Sequence, residues 1–435
     1  MIWLAGIALL LVLAAVLKLS LLFYVAYALL GVWVLSLYLT RVWAESLVAH
    51  REYSKLTAEI GEQVAVVVTI ENRGRLPIPW LLVEDLLPAD ALIHEPPKLR
   101  VSGRRIQLFM LRPGGRKTLL YQLTCNRRGY YQLGPLVLET GDLFGLHRRY
   151  RVLTEPHYLL VLPKVMPLSG YEIASRRPIG EVKLTYRLYE DPTRIAGVRE
   201  YERGDSLNRV HWKATARTGV LHSKVYEPST VAGATLLLDF HTSSHDRRHE
   251  PVRSDLAVTA AASIANAVYL MGQQVGLVTN GRDAADRIRQ EGWSGDWRTR
   301  DAARGAASMR GENTRLAPIV VPTRRGPEQL VQIFETLARL ELTDGLTLPE
   351  LIEETASRLP RDATVIAILP KVTEENAIAL GNLRRRGMAV EAILNLWEEY
   401  DFAESSGPLL AQGIHTRHLR DEAGLMELCR RQVLG

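Results

Sequence analysis

The chain has 435 residues, 47% hydrophobic and 23% charged, a balance that excludes disorder and calls for two or three folded domains. A formal net charge of +6 suits an anionic membrane surface and is too small at this length to point to nucleic acid. Two cysteines, Cys125 and Cys429, exclude a disulfide framework and a CxxC metal site and fit a reducing compartment.

Residues Ile2 to Leu39 are apolar except for Lys18. As one helix they would run roughly 57 Å, nearly twice a bilayer core. A break at Lys18–Ser20 predicts a transmembrane helical hairpin over residues 1–44, with spans of about 2–17 and 21–39 in the lipid bilayer. The first span is short, so a single span beside an interfacial segment is the rival reading. Trp3 and Trp43 fall at one interface. Arg41, Arg51 and Lys55 follow the second span, and the positive-inside rule then puts the soluble part in the cytosol. A signal peptide would need a basic n-region, which is absent, and a small-residue cleavage site followed by a polar mature start, and no such site is followed by one.

Residues 45–165 read as a β-domain. Val64, Val66, Val68 and Ile70 alternate along Gln63–Glu71 at the period of a strand. Short apolar runs follow at Trp80–Val83, Arg105–Leu111, Thr118–Cys125, Tyr130–Leu133, Leu136–Glu139 and Leu159–Pro163, separated by Gly and Pro turns. No helix periodicity appears here, and the pattern predicts an immunoglobulin-like β-sandwich. Cys125 ends a strand with no activating His nearby, so it reads as a structural cysteine.

Residues 166–230 form a connector whose dense part is Gly197–Glu227. Arg199, Glu200, Tyr201, Gly204, Asp205, His211, Trp212, Lys213, Arg217 and Glu227 lie within it. The favoured expectation is structural. Trp212 and Tyr201 anchor the segment on a domain face, while Asp205, Arg199 and Arg217 form buried ion pairs. The alternative is that its outward face docks a partner. Asp205, Ser206 and His211 imitate a catalytic triad in composition only, without an oxyanion-forming turn.

Residues 231–435 read as an α/β domain with a doubly wound parallel sheet. Strands are predicted at Thr235–Phe240, Gln274–Thr279, Pro318–Val321, Thr364–Leu369 and Ala389–Leu396. Helices are predicted at Asp255–Leu270, Pro327–Leu340, Leu348–Arg358 and Thr373–Arg386, and a charged, mobile insertion at 281–315. GxxxxGK[ST], GxGxxG, HExxH and GxSxG patterns are absent. The carboxyl ends of the strands, Asp239–Ser244, Asn280 and Pro370–Lys371, are where a ligand would sit. Asp239 with a Ser oxygen suits a hard cation such as Mg²⁺; His241, His245 and His249, four apart, would align on a helix and suit a softer metal. A polar loop facing water is the plainer reading.

Gly197-Val198-Arg199-Glu200-Tyr201, Gly204-Asp205-Ser206, His211-Trp212-Lys213-Ala214, Ala216-Arg217 and Tyr226-Glu227 resemble the signature of the bacterial domain of unknown function 58 family. So do Asn72-Arg73 through Pro79-Trp80, Asp85-Leu86-Leu87-Pro88, the run Arg128 to Pro135, Thr140-Gly141-Asp142-Leu143-Phe144-Gly145-Leu146 and the run Pro322 to Pro327. The resemblance implies two N-terminal spans in the bacterial plasma membrane, an immunoglobulin-like domain and a von Willebrand factor type A-like domain. It also implies an AAA+ ATPase partner of MoxR type, a transglutaminase-like membrane protein nearby, and a non-enzymatic role in assembling or maturing other proteins. A type A metal site wants Asp-x-Ser-x-Ser, a Thr and a further Asp. Here Asp239, Ser243 and Thr347 match, but His241 and Pro370 stand at two of the positions, which weakens Mg²⁺ binding. The alternative function is a metal-dependent binding module using this degenerate site.

Overall fold

The computed structural model describes residues 2–93, 95–168, 190–201, 210–228, 233–286, 316–361 and 363–427. Contacts group the chain into two units: 1–164 with 282–314 and 334–342, and 165–281 with 315–333 and 343–435. Most of the predicted insertion at 281–315 lies outside the described residues.

The first unit opens with helices α1 (Ile2–Leu17) and α2 (Ser20–Glu45). Lys18 reverses the chain between them with φ 49, a left-handed conformation rare for a non-glycine residue. At 26 residues α2 is apolar and long enough to cross a membrane, whereas α1 has 16. Most of α2 is exposed, but Ser36, Thr40, Trp43 and Ala44 are buried at helical spacing. That stripe meets the β-strands that follow.

Those strands are β1 (Leu47–Tyr53), β2 (Thr57–Glu59), β3 (Gln63–Asn72), β4 (Ile78–Asp85), β5 (Leu99–Gly103), β6 (Ile106–Leu111) and β7 (Arg116–Cys125). After them come β8 (Gly129–Leu133), β9 (Leu136–Gly141), β10 (Arg148–Thr154) and β11 (His157–Leu162). They form three sheets, ordered β1-β3-β7-β5, β10-β9-β4-β6 and β2-β11-β8. Val64, Val66, Val68 and Ile70 are fully buried, as their alternation predicts. One apolar cluster draws side chains from all three sheets, with Trp43 of α2 among them. The expectation of no helix fails at α3 (Ala89–Ile93), one short turn after Pro88.

Inside this cluster lies a buried polar network. Arg51 bonds Asp85 at 2.5 Å, with side chains 1% and 0% exposed. Tyr121 donates its hydroxyl to the other Asp85 oxygen at 2.8 Å, and Arg51 also donates to the Tyr53 hydroxyl and the Leu133 carbonyl. Burial pushes the Asp85 carboxyl up, and Arg51 and Tyr121 oppose that. Burial pushes the Tyr53 phenol up to about 12, with the Arg51 charge opposing it.

The second unit contains the ribbon β12 (Glu190–Glu200) and β13 (His222–Pro228), with helix α4 (Trp212–Thr218) in the segment between. Its main sheet is built from β14 (Gly233–Leu238), β15 (Gln274–Thr279), β17 (Ile319–Arg324), β19 (Ala363–Leu369), β20 (Val390–Leu394) and β21 (His415–His418). The order is β17-β15-β14-β19-β20-β21. The small strands β16 (Arg282–Asp283) and β18 (Leu340–Glu341) pair separately in the first unit. All main-sheet pairings are parallel except β15 with β17, so the fully parallel sheet expected from sequence is corrected to a mixed one. Strand β17 takes the antiparallel edge, where one-sided pairing costs little. With the sheet go α5 (Val252–Leu270), the start of α6 (Pro327–Arg339, whose residues from Phe334 group with the first unit), α7 (Leu348–Thr355), α8 (Glu374–Arg385), α9 (Glu399–Ala411) and α10 (Glu422–Glu427). Predicted as an amphipathic helix, α5 is instead buried nearly all round. Its small Ala side chains let it lie close against β14 and β15.

Candidate functional site

Two places gather the residues singled out by sequence, and both lie in the second unit. The first is α4 on its ribbon. Backbone bonds hold it there: the His211 amide donates to the His222 carbonyl at 2.8 Å, and the Tyr201 amide to the Leu221 carbonyl at 2.9 Å. Val210, 2% exposed, is tucked beneath, bridging to Ser223. The His211 Nδ1 accepts from the Ala214 amide at 3.0 Å and so serves as the helix N-cap. Gly219 closes the helix at φ 74, which a side chain would strain.

The residues this frame presents differ from the favoured expectation. Trp212 is 72% exposed, so it does not anchor the segment on a domain face. It sits at the first turn of α4, whose bonds to the ribbon run instead from the His211 amide to the His222 carbonyl and from the His222 amide to Thr215 Oγ1. Lys213 and Arg217 are exposed on the same helix, and Val198, Val220 and Leu221 are exposed on the ribbon and the turn after the helix. Arg199 donates to the Glu200 carbonyl at 3.1 Å, Tyr201 is half-buried, and Glu227 lies in β13. Gly204, Asp205 and Ser206 lie outside the described residues. With Nδ1 spent on the cap, one ring nitrogen of His211 is withdrawn from proton transfer.

The second place is the carboxyl edge of the main sheet. Asp239, 1% exposed, accepts from Asn280 Nδ2 at 2.9 Å and from the His241 amide at 3.1 Å, both on Oδ1. Its Oδ2 is buried with no hydrogen-bond partner among the described residues. Asn280 also accepts from the Phe240 amide at 2.7 Å and donates to the Leu346 carbonyl at 2.9 Å. One side chain thus ties together the ends of β14 and β15 and the loop before α7. Sequence named Asn280 only as a strand end.

The other proposed ligands are committed locally. Ser243 Oγ bonds His241 Nδ1 at 2.7 Å. Thr347 Oγ1 bonds Glu350 at 2.8 Å in a capping box that starts α7. Hard cations take several oxygens at once, and Asp239, Ser243 and Thr347 offer one uncommitted carboxylate oxygen. As arranged, they do not fit that chemistry, and among the described residues no group of three His, Cys, Asp or Glu could hold a metal. The expected helical row of histidines is also corrected. A short 3₁₀ turn, Thr242–Ser244, replaces the helix, and the three rings part company. His245 is buried between Glu250, at 2.8 Å, and the Asp239 carbonyl, while His249 stacks on Trp397.

Residues 197–295 match the model of the family described as Protein of unknown function DUF58. The uncharacterized protein YeaD of Bacillus subtilis (strain 168) is 26% identical over 245 residues, which are 56% of this chain and 58% of that protein. The match therefore spans little more than half the length of that relative. Among solved structures, the CARDB domain of the PF1109 protein from Pyrococcus furiosus overlaps 27% of this chain and 87% of its own, at 13% identity and a TM-score of 0.19. Proximal thread matrix protein 1 from the mussel byssus overlaps 46% of each chain, at 11% identity and a TM-score of 0.28. Neither likeness, at such TM-scores, carries an argument about fold or function. The matched region opens at Gly197 on the ribbon and takes in α4 and the Asp239 edge, so the resemblance read from sequence is supported by the family model over residues 197–295.

Proposed function

We propose that this protein is a non-enzymatic scaffold, anchored in the plasma membrane by α1 and α2, whose soluble units face the cytosol and dock an AAA+ ATPase of MoxR type. In this reading the first unit is an immunoglobulin-like spacer and the second a von Willebrand factor type A-like binding domain. Together with the ATPase, and with a transglutaminase-like membrane protein as neighbour, it serves the assembly or maturation of other proteins. The carrying observation is Trp212, 72% exposed, on a short helix that also exposes Lys213 and Arg217 and is pinned from behind. An exposed Trp costs solubility and adds nothing to the core, but Trp and Arg are the residues on which protein interfaces concentrate their energy. Val198, Val220 and Leu221 widen the apolar patch, and the two cations suit an acidic partner surface.

Two further observations support a binding role over catalysis. His211 is engaged as a helix cap, and Ser243 and Thr347 are engaged within their own turns. The metal-dependent alternative rests on the orphaned Asp239 oxygen alone. The test is crosslinked purification from membranes with wild type and Trp212→Ala. Wild type should recover an AAA+ ATPase, and the variant should lose it while keeping its protease resistance. Undiminished recovery by the variant, or no ATPase with wild type, would overturn the docking reading.

A further inference from the structure

The loop Gly141–His147 joins β9 to β10, and its sequence, Gly-Asp-Leu-Phe-Gly-Leu-His, is unused by the function proposed above. Its centre is Asp142, which is buried. One Asp142 oxygen accepts from the Phe144 and Leu146 amides at 2.8 and 3.1 Å, and the other from the His147 amide at 2.8 Å. Trp80 donates its indole N–H to the Asp142 carbonyl at 3.2 Å. Gly145 takes φ 73 to complete the turn. A loop this well tied could turn apolar side chains inward, yet it holds Leu143 and Phe144 outward, 74% and 73% exposed.

Where the loop sits decides what those two residues meet. The Ser36 hydroxyl of α2 donates to Asp142 and contacts His147 Nδ1 at 2.8 Å, and Trp33 meets the His147 ring edge-on at 5.2 Å. The loop is therefore fastened to α2 at Trp33–Ser36. Twenty helical residues from Ser20 reach Leu39, about 30 Å, one bilayer core. Ser36 then lies about 4.5 Å short of that boundary, on the hydrocarbon side. Leu35 and Tyr38, 55% and 61% exposed, mark the same level on the lipid-facing side of the helix. Just beyond, Arg151 donates to the Ala44, Glu45 and Leu47 carbonyls and closes the helix, and Arg148 is exposed. Apolar side chains below cations form the pattern of an interface in which rings enter the acyl region and cations meet anionic headgroups.

We infer that the Gly141–His147 loop is a lipid-contacting wedge: Leu143 and Phe144 insert into the bilayer beside α2 and, with the Ser36–Asp142 contact, set the depth and tilt of the β-domain on the membrane. This rests on α2 crossing the bilayer. The occupant is lipid because the loop tip continues an exposed apolar helix surface at one level, and a membrane-spanning helix has lipid there by default.

The test uses the full chain with Cys429→Ser, reconstituted in phosphatidylethanolamine–phosphatidylglycerol vesicles containing doxyl-labelled lipid. Cys125, fully buried, stays unlabelled. An environment-sensitive fluorophore is placed at Phe144→Cys, at Tyr38→Cys on α2, and at Ile93→Cys. Ile93, 74% exposed, follows Asp85, which pairs with Leu136 at the end of β9 remote from Gly141, about 17 Å away at strand rise. Quenching by doxyl lipid is expected at positions 38 and 144 and not at 93. Quenching at 38 with 144 as unquenched as 93 overturns the wedge and leaves the anchor standing, whether or not the 144 probe is shielded by protein. No quenching at 38 removes the anchor and the wedge with it.

Discussion

Removing Arg51 is the sharpest perturbation available to the first unit. Arg51→Met keeps most of the stem volume and deletes the guanidinium, whose partners are Asp85 at 2.5 Å, the Tyr53 hydroxyl and the Leu133 and Glu155 carbonyls. Asp85, with its side chain fully buried, then keeps the Tyr121 hydroxyl as its side-chain donor. An uncompensated buried charge of this kind costs about 3–5 kcal/mol. The carboxyl can escape by taking up a proton, and protonating an ordinary carboxyl of pKa about 3.9 at pH 7 costs about 4 kcal/mol, which falls in the same range. The sign of the pH dependence follows. A carboxyl whose folded pKa is raised contributes stability fully present below its unfolded pKa and lost as pH rises through the folded one. Burial already pushes Asp85 up, and losing Arg51 pushes it further. The defect of Arg51→Met should therefore shrink as pH falls toward 4. Hydrogen exchange of the β3 and β7 amides reads the opening free energy directly and avoids treating a two-unit chain as two-state. A companion Arg51→Met/Asp85→Leu variant should recover most of the loss, because an apolar pair leaves no charge stranded. A single-variant loss below about 1 kcal/mol, or a defect that grows at low pH, would refute the reasoning.

Ser36→Ala should loosen the fastening of the Asp142 loop to α2 by about 1 kcal/mol, read as faster exchange of the Phe144, Leu146 and His147 amides. Burial pushes Asp142 up, but the Ser36 hydroxyl and the three loop amides outweigh it and hold the carboxyl below its ordinary value of 3.8. That contribution is thus present above pH 3.8 and lost as pH falls through the folded value, and Asp142→Asn should abolish the dependence. Asn280→Ala removes the side-chain acceptor of the Phe240 amide and a donor to Asp239, so the second unit should lose about 1–3 kcal/mol in chemical unfolding; no change would show that the tie at the sheet edge is dispensable.

What the sequence made legible was whatever repeats over a short distance. Alternating valines announced β3, the run Thr373–Arg386 announced α8, and the apolar run Thr235–Phe240 announced β14. Strand β10 was missed because Arg148, Arg149 and Arg151 break any apolar alternation, and its place is fixed by pairing with β9. Helix α4 was missed because its cap is a His, a residue that carries no strong capping signal. Trp212 was misread by the rule that large aromatics go inside, a one-way tendency that its exposure on α4 does not follow.

The Asp142 loop shows the same division within one motif. A Gly-Asp-x-x-Gly run announces a turn, because Asp accepts from amides two to five residues on and Gly supplies positive φ. Nothing local announces Ser36, 106 residues earlier, as the hydroxyl that shares the same carboxylate. In an apolar helix a lone Ser reads as a tolerated passenger, and Thr40 one turn later bonds back to the Ser36 carbonyl as such residues do. It is the burial of both on one stripe, 4% and 0% exposed, that separates a docking face from a lipid face on α2. A helix facing lipid all round would leave them the most expendable residues in the span. A helix seated on the β-domain makes them the least, and exchanging either for Leu distinguishes the two.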